Sequence, residues 1–223
     1  MKFTKKKLFV TAVSVCLIAI LSAGTLAWFS DSDTVQNKFM VADSSDTEPD
    51  DIFSVDVYEK NIDGNVTDTG ITYENILPGD VRVKDAHVKN TGYYDQYIRV
   101  VVKISDAAAW KAALGENFDN YKIEDCFVGF DTSKWNNISI EEKEGNIQIV
   151  LYYNEKLASD QDIQLFQSVK IPTELTKEAA ALFGGDFTID IKAQAVQTEN
   201  VVPAGTAKGM EAYVAFQTVE LTY

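Results

Sequence analysis

Phe187-Thr188-Ile189-Asp190-Ile191-Lys192-Ala193-Gln194-Ala195-Val196 alternates apolar and polar residues almost without interruption. Phe187, Ile189, Ile191, Ala193 and Ala195 share one parity, the period-two signature of a strand with one face on a core. Similar runs recur along the chain. Residues 97–104 and 147–153 are rich in β-branched and aromatic side chains, residues 163–171 read as a further strand, and residues 52–58 contain a period-two stretch. In the segment that starts at Val81, Val83, Asp85 and His87 fall on its parity, with Arg82, Lys84, Ala86 and Val88 on the other. About seven strands separated by turn signals predict a mostly β protein, an antiparallel β-sandwich of jelly-roll type.

Short helices interrupt the connections. Asp106 caps a predicted helix over residues 107–114, with Trp110, Ala113 and Leu114 at helical spacing and Gly115 closing the end. Thr173 caps a second, near 174–183, where Leu175, Ala179, Leu182 and Phe183 share a face before Gly184-Gly185. A weaker helical pattern covers residues 207–216.

The N-terminus carries a different signal. Lys2, Lys5, Lys6 and Lys7 precede an uncharged, mostly apolar run over residues 8–26, and Thr25-Leu26-Ala27 places small residues before a cut between Ala27 and Trp28. Basic, apolar and small-residue regions in that order read as a secretory signal peptide. A spanning helix needs ~20 apolar residues; here Thr11, Ser14, Ser22, Gly24 and Thr25 dilute the run, and a cleavage pattern ends it. Val15 stands before Cys16 where a lipoprotein signal needs a small residue.

Cleavage after Ala27 leaves 196 of the 223 residues, with 16 basic against 34 acidic side chains and a formal charge of −18. Such a chain is repelled by nucleic acid and by anionic membrane surfaces, whose binding relies on Lys and Arg. One cysteine, Cys126, remains, so no intrachain disulfide forms. Its neighbours Phe127, Val128 and Phe130 are apolar and predict a buried, unreactive thiol. Residues 42–51 are acidic and nearly free of apolar side chains, a linker composition. The expected organisation is a signal peptide over 1–27, an N-terminal arm with its acidic linker over 28–51, and one β-sandwich domain over 52–223.

The stretch from Gly24 to Phe39, GTLAWFSDSDTVQNKF, resembles the export and processing motif of the TasA/camelysin family, whose precursors are cut by a SipW-type signal peptidase. Ile76-Leu77-Pro78-Gly79-Asp80 is similar to that family's L-x-P-G-D turn, Asn90-Thr91-Gly92 to its Asn-x-Gly turn, and residues 187–197 to its late strand. The match covers about half the chain, leaving residues 115–160 and the C-terminal thirty without a motif. The resemblance implies a secreted jelly-roll protomer that polymerises into extracellular biofilm matrix fibres, with the mature arm added as a donor strand to the next subunit. Trp28, Phe29, Val35, Phe39 and Val41 are the arm's anchor candidates. Implied partners are further copies of the chain, the signal peptidase and accessory matrix proteins; nucleic acid is not among them, and the membrane is met only through the signal peptide.

Some camelysin-type proteins are described as metalloproteases, and a secreted metalloendopeptidase or a monomeric surface module are the alternatives. A zinc protease places two His on one helix face with a Glu between them. This chain has one histidine, His87, in a predicted strand, and no G-x-S-x-G elbow. No catalytic residue, metal ligand or cofactor is therefore assigned. Asp63-Gly64 and Asp68-Thr69-Gly70 read as turns rather than a calcium loop. Glu141, Glu142 and Glu144 read as a solvated loop leading into Gly145-Asn146. Tyr93, Tyr94, Tyr97, Tyr152 and Tyr153 read as sheet residues rather than a carbohydrate platform.

Overall fold

A computed structural model describes residues 30–35, 53–67, 77–115, 122–173 and 187–219. Among these the protein is mostly β, with antiparallel sheets and few helices. The strands are β1 (Ser30–Val35), β2 (Val55–Lys60), β3 (Val66–Thr67), β4 (Val81–Asn90), β5 (Gln96–Ile104), β6 (Phe127–Val128), β7 (Trp135–Lys143), β8 (Asn146–Tyr153), β9 (Asp162–Lys170) and β10 (Ile189–Gln197). The helices are α1 (Ala107–Leu114), α2 (Ile123–Cys126) and α3 (Glu211–Val219). One sheet has the order β1-β10-β5-β8-β7 and the other β3-β2-β4-β9-β6.

A single core lies between the sheets. Val55, Val57, Ala86, Val88, Leu165 and Phe166 of the second sheet join Val100, Val102, Ile149, Leu151, Ile191 and Ala193 of the first. A smaller cluster sits on the other face of the first sheet, where Tyr97, Val101, Val150, Tyr152 and Val196 meet Ala212, Ala215 and Phe216 of α3. β5 and β8 are thus buried on both faces. That is why they read as continuous apolar runs, while β10 alternates more cleanly. Full burial of one such aliphatic or aromatic side chain contributes roughly 1.5–3 kcal/mol.

The first predicted helix is present. Asp106 takes φ 62° and its carboxylate accepts from the Ala109 N–H at 3.1 Å, while Gly115 ends the helix at φ 56°. The C-terminal helix begins at Glu211 rather than at residue 207. Gly205 and Gly209, at φ 89° and 83°, hold the preceding segment in turns, so helical geometry starts only after them. The helix expected near 174–183 lies outside the described residues.

The predicted loop at Glu141, Glu142 and Glu144 is instead a β-hairpin. Glu141 and Glu142 pair with Gln148 and Ile147 at the end of β7, and Glu144-Gly145 make the turn at φ 53° and 77°. β7 is an edge strand with a register shift between Asn137 and Ser139, and edge strands tolerate charge that a central strand would not. Its pairing is dictated by β8, whose burial fixes the neighbouring backbone.

Candidate functional site at the sheet edge beside β10

β10 is flanked by β5 on one side and by β1, the chain's own N-terminal arm, on the other. The β1 register runs antiparallel from Ser30 opposite Val196 to Val35 opposite Ile191. Ile191, Ala193 and Ala195 are fully buried in the main core, so this edge borders the core. Without β1, the outer N–H and C=O groups of β10 would lose their partners, the condition that β-augmentation relieves. The β1 sequence SDSDTV is rich in Ser and Asp, which are poor strand formers. Backbone pairing with β10, rather than local propensity, accounts for the strand. Of the expected anchors, Val35 ends β1. Trp28, Phe29, Phe39 and Val41 lie outside the described residues, as does the cleavage point between Ala27 and Trp28.

The two turn motifs are structural anchors at the two ends of β4 in the second sheet. In the first, the Leu77 N–H donates to Asp80 Oδ2 and the Asp80 N–H donates to the Leu77 carbonyl, both at 3.0 Å. Gly79 holds φ 84°, and its N–H donates to the Ile171 carbonyl at 3.0 Å, so the Pro78-Gly79-Asp80 turn is tied to the end of β9. The bond from the Leu77 N–H, then the Arg82 guanidinium at 2.5 Å, holds the Asp80 carboxyl below the usual range. In the second motif Asn90 is fully buried. Its Nδ2 donates to the carbonyls of Tyr94 and Leu157 at 2.8 and 2.9 Å, and its Oδ1 accepts from the Gly92 N–H at 2.9 Å. One carboxamide thereby fixes the β4–β5 connection against the segment before β9.

His87 faces neighbouring side chains on the second sheet. Its Nδ1 lies 2.9 Å from Asp162 Oδ1 and its Nε2 lies 3.0 Å from Asp85 Oδ1. The ring stacks on Tyr58 at 5.0 Å, the Tyr58 hydroxyl donates to Asp162, and Gln164 donates to Asp85 at 2.7 Å. Burial first, then the Asp162 bond, pushes the Tyr58 hydroxyl well above its ordinary range. The two carboxylates sit on different ring nitrogens and hold β2, β4 and β9 together; they do not converge with the ring on one point. Among the described residues, no group of three or more His, Cys, Asp or Glu is arranged to hold a metal ion.

Cys126 is half-buried rather than buried. It ends the single turn of α2 and packs only partly on the core, because the apolar side chains that follow it enter β6 instead. Tyr97, Tyr152 and Tyr153 are buried, whereas Tyr93 and Tyr94 are exposed in the β4–β5 connection. Gly64 takes φ 79° in the tight turn foreseen at Asp63-Gly64, with Asn61 Oδ1 accepting the N–H groups of Asp63 and Asn65 at 3.0 Å. Asp68 to Gly70 lie outside the described residues.

Sequence reasoning missed one polar feature near the arm. Glu59, at 0 % exposure, pairs with the buried Lys84 on the inner face of the second sheet, where Val55 and Val57 lead one to expect an apolar residue. The alternation of charged and apolar residues over 55–60 conceals which parity faces inward. No family model matches the chain, and no curated protein or solved structure matches it.

Proposed function

We propose that this chain is a secreted structural protein that polymerises into extracellular biofilm matrix fibres by exchange of its N-terminal arm. The observation that carries the reading is the six-residue pairing of β1 with β10 at the edge of a sheet. The pairing is made by a terminal segment to a pre-formed edge, so the same bonds can be made by the arm of another copy. Exchange replaces an intramolecular pairing with an identical intermolecular one, a low-cost route to assembly. Each copy then receives one arm and donates another. That head-to-tail contact does not close on itself and grows a filament.

The strand order is compatible with a jelly-roll protomer. Taken alone, β1-β10-β5-β8 and β4-β9-β6 follow the interleaved pattern of paired Greek keys, with the first strand beside the last. The signal peptide and the motif around Ala27 support export and cutting by a SipW-type peptidase, followed by assembly with further copies and accessory matrix proteins. The acidic stretch over residues 42–51 spans up to about 36 Å when extended, which gives the arm reach toward a neighbour.

Negative-stain microscopy of the protein beginning at Trp28, beside a version lacking residues 28–41, tests the reading. Fibres from the first and none from the second are expected. Identical fibres from both, or a monomer from both at all concentrations, would reject it.

A further inference from the structure

β4 and β9 fall out of step beside His87. Val83 pairs with Ser168, Ala86 with Phe166 and His87 with Gln164, so two register shifts lie between Val83 and His87. Such shifts disrupt the backbone ladder. A chain of side chains spans the break on the outer face of the sheet. Gln167 Nε2 donates to Gln164 Oε1 at 3.2 Å, and Gln164 Nε2 donates to Asp85 Oδ1 at 2.7 Å. The buried His87 ring then bridges Asp85 and Asp162, and Tyr58 completes the row from β2, stacked on the ring with its hydroxyl bonded to Asp162.

The protons in this row are placed from its two ends. Gln164 donates to Asp85, and the Tyr58 hydroxyl, which burial and the Asp162 bond keep protonated, donates to Asp162. Both carboxylates therefore stand as acceptors, and each turns an oxygen to a different ring nitrogen, 2.9 Å from Nδ1 and 3.0 Å from Nε2. A neutral imidazole has one N–H and one lone pair, so its lone pair would face a carboxylate; the imidazolium donates at both ends. The surrounding charge favours the same form. Cross-strand partners share a face, which sets Asp56, Tyr58 and Lys60 of β2 and Asp85 and Lys89 of β4 around the ring, with Asp162 of β9 and the preceding Asp160. Lys89 is engaged by Asp160 at 3.3 Å and Lys60 lies 5.6 Å from the centre of the Tyr58 ring, so the ring is the cation that meets Asp85 and Asp162.

We propose that His87 is a proton-gated latch on the second sheet: with both ring nitrogens protonated it fastens β4 to β9 across their register break, and loss of one ring proton opens the fastening. The opened state leaves a lone pair against a carboxylate oxygen, and the seam is then held by Ala86, Val88 and Phe166 on the core face. Because the folded geometry takes up the second ring proton and the unfolded chain has no such row, the latch adds stability at lower pH and loses it as pH rises. Its sense is opposite to that of Asp80, whose bond is lost in acid. The latch acts within one protomer and needs no assumption about assembly.

His87 is the single histidine of the chain, so untagged protein beginning at Trp28 gives one imidazole signal. Nitrogen-15 NMR of dilute protein at about pH 6 is expected to show an N–H on both ring nitrogens. Between about pH 6 and pH 8, where histidines titrate, the unfolding constant in urea should rise about tenfold relative to that of His87→Gln, the scale of one hydrogen bond to a charged group. All other titrating groups are common to the two proteins. Hydrogen exchange, corrected for its intrinsic pH dependence, should place the loss of protection in β4 and β9. A ring nitrogen without its proton at pH 6, or parallel stability curves for parent and variant, would overturn the latch. If His87→Gln does not fold, the parent decides alone: β4 and β9 protection that is unchanged when the second ring proton leaves rejects the proposal.

Discussion

Arg99 donates through Nε and Nη2 to the same Gln194 oxygen, at 2.9 and 2.6 Å, and so ties β5 to β10 from beneath α3. The guanidinium also lies 4.3 Å from the Phe216 ring of α3, and both members of the pair are buried. The strand that carries the arm is therefore held from its far side by a charged group with no access to water. Gln194→Leu removes the acceptor but leaves the buried cation, and is expected to cost about 2–4 kcal/mol. Adding Arg99→Leu should recover part of that loss. Urea unfolding of the single and double variants measures both, and a double variant worse than either single one would contradict this account.

Asn90 makes three side-chain bonds to backbone groups from a fully buried position. Asn90→Ala is expected to destabilise by about 2–4 kcal/mol, because the carbonyls of Tyr94 and Leu157 each lose a donor, with Leu157 keeping the Gln96 N–H, the Gly92 N–H loses its acceptor, and the site keeps a small void. Asn90→Asp should be at least as damaging, since it turns a donor toward two carbonyls into an acceptor. Thermal unfolding at neutral pH ranks the three proteins.

Asp80 links the turn before β4 to acid stability. Its carboxyl is held down by the Leu77 N–H and by Arg82, so the folded state binds its proton less readily than the unfolded one. The resulting stability is present above the ordinary carboxylate range and is lost as pH falls through it. Asp80→Asn should flatten the fall of Tm between about pH 5 and pH 3 relative to the parent. An unchanged slope would show that this turn does not contribute to acid unfolding.

Asp190 behaves in the opposite sense. Burial raises its carboxyl against the smaller lowering effects of Lys84 and Lys103. The folded state thus prefers the protonated form, and ionisation above the carboxylate range costs stability that is regained as pH falls. Asp190→Asn is expected to raise Tm at pH 7 and to leave it nearly unchanged in acid. Because Asp190 directly precedes Ile191, where β1 ends, the variant should also slow release of the arm, read as slower deuterium uptake in β10.

The sandwich was legible where strands carry one clean pattern. Residues 97–104, 147–153 and 163–171 are β5, β8 and β9 within a residue or two, because burial on fixed faces writes itself into side-chain choice. β7 was not legible. It lies at an edge, carries Glu141 and Glu142, and owes its pairing to β8. The helix at 107–114 was readable from the Asp106 cap and Gly115, whereas α3 was displaced by turns at Gly205 and Gly209. At the candidate site, the arm showed its apolar residues, but nothing in SDSDTV announces a strand; the β10 backbone supplies it. The Glu59–Lys84 pair was hidden because charge on a strand normally signals the solvent face.

The β7–β8 turn offers a local test of the same strand logic. Glu144 and Gly145 both have positive φ, the requirement of a two-residue hairpin turn best met by Asn-Gly. Glu144→Asn should stabilise by about 0.5–1 kcal/mol, and Gly145→Ala should cost about 1 kcal/mol or more. Chemical unfolding is sufficient to separate them.

In the proposed assembly by arm exchange, the chains that meet would each carry a formal charge of −18 after the expected cleavage at Ala27. In such a fibre the pairing gained would equal the pairing lost in the monomer, so repulsion between approaching copies would weigh heavily in the rate. The Debye length falls from about 30 Å at 0.01 M salt to about 10 Å at 0.1 M. Fibre growth followed by light scattering should therefore accelerate severalfold across that range, with little change in monomer Tm. Lowering the pH toward the sequence pI of 4.4 should act in the same direction. Protonation of Asp80 removes the stability that its bond from the Leu77 N–H contributes, so acid works against the folded protomer as it relieves the repulsion. Asp80→Asn lacks that contribution at every pH and should not extend growth to pH values where the parent protein unfolds. Growth that slows with added salt would mean that contacts between opposite charges, rather than strand exchange against like charge, control the rate.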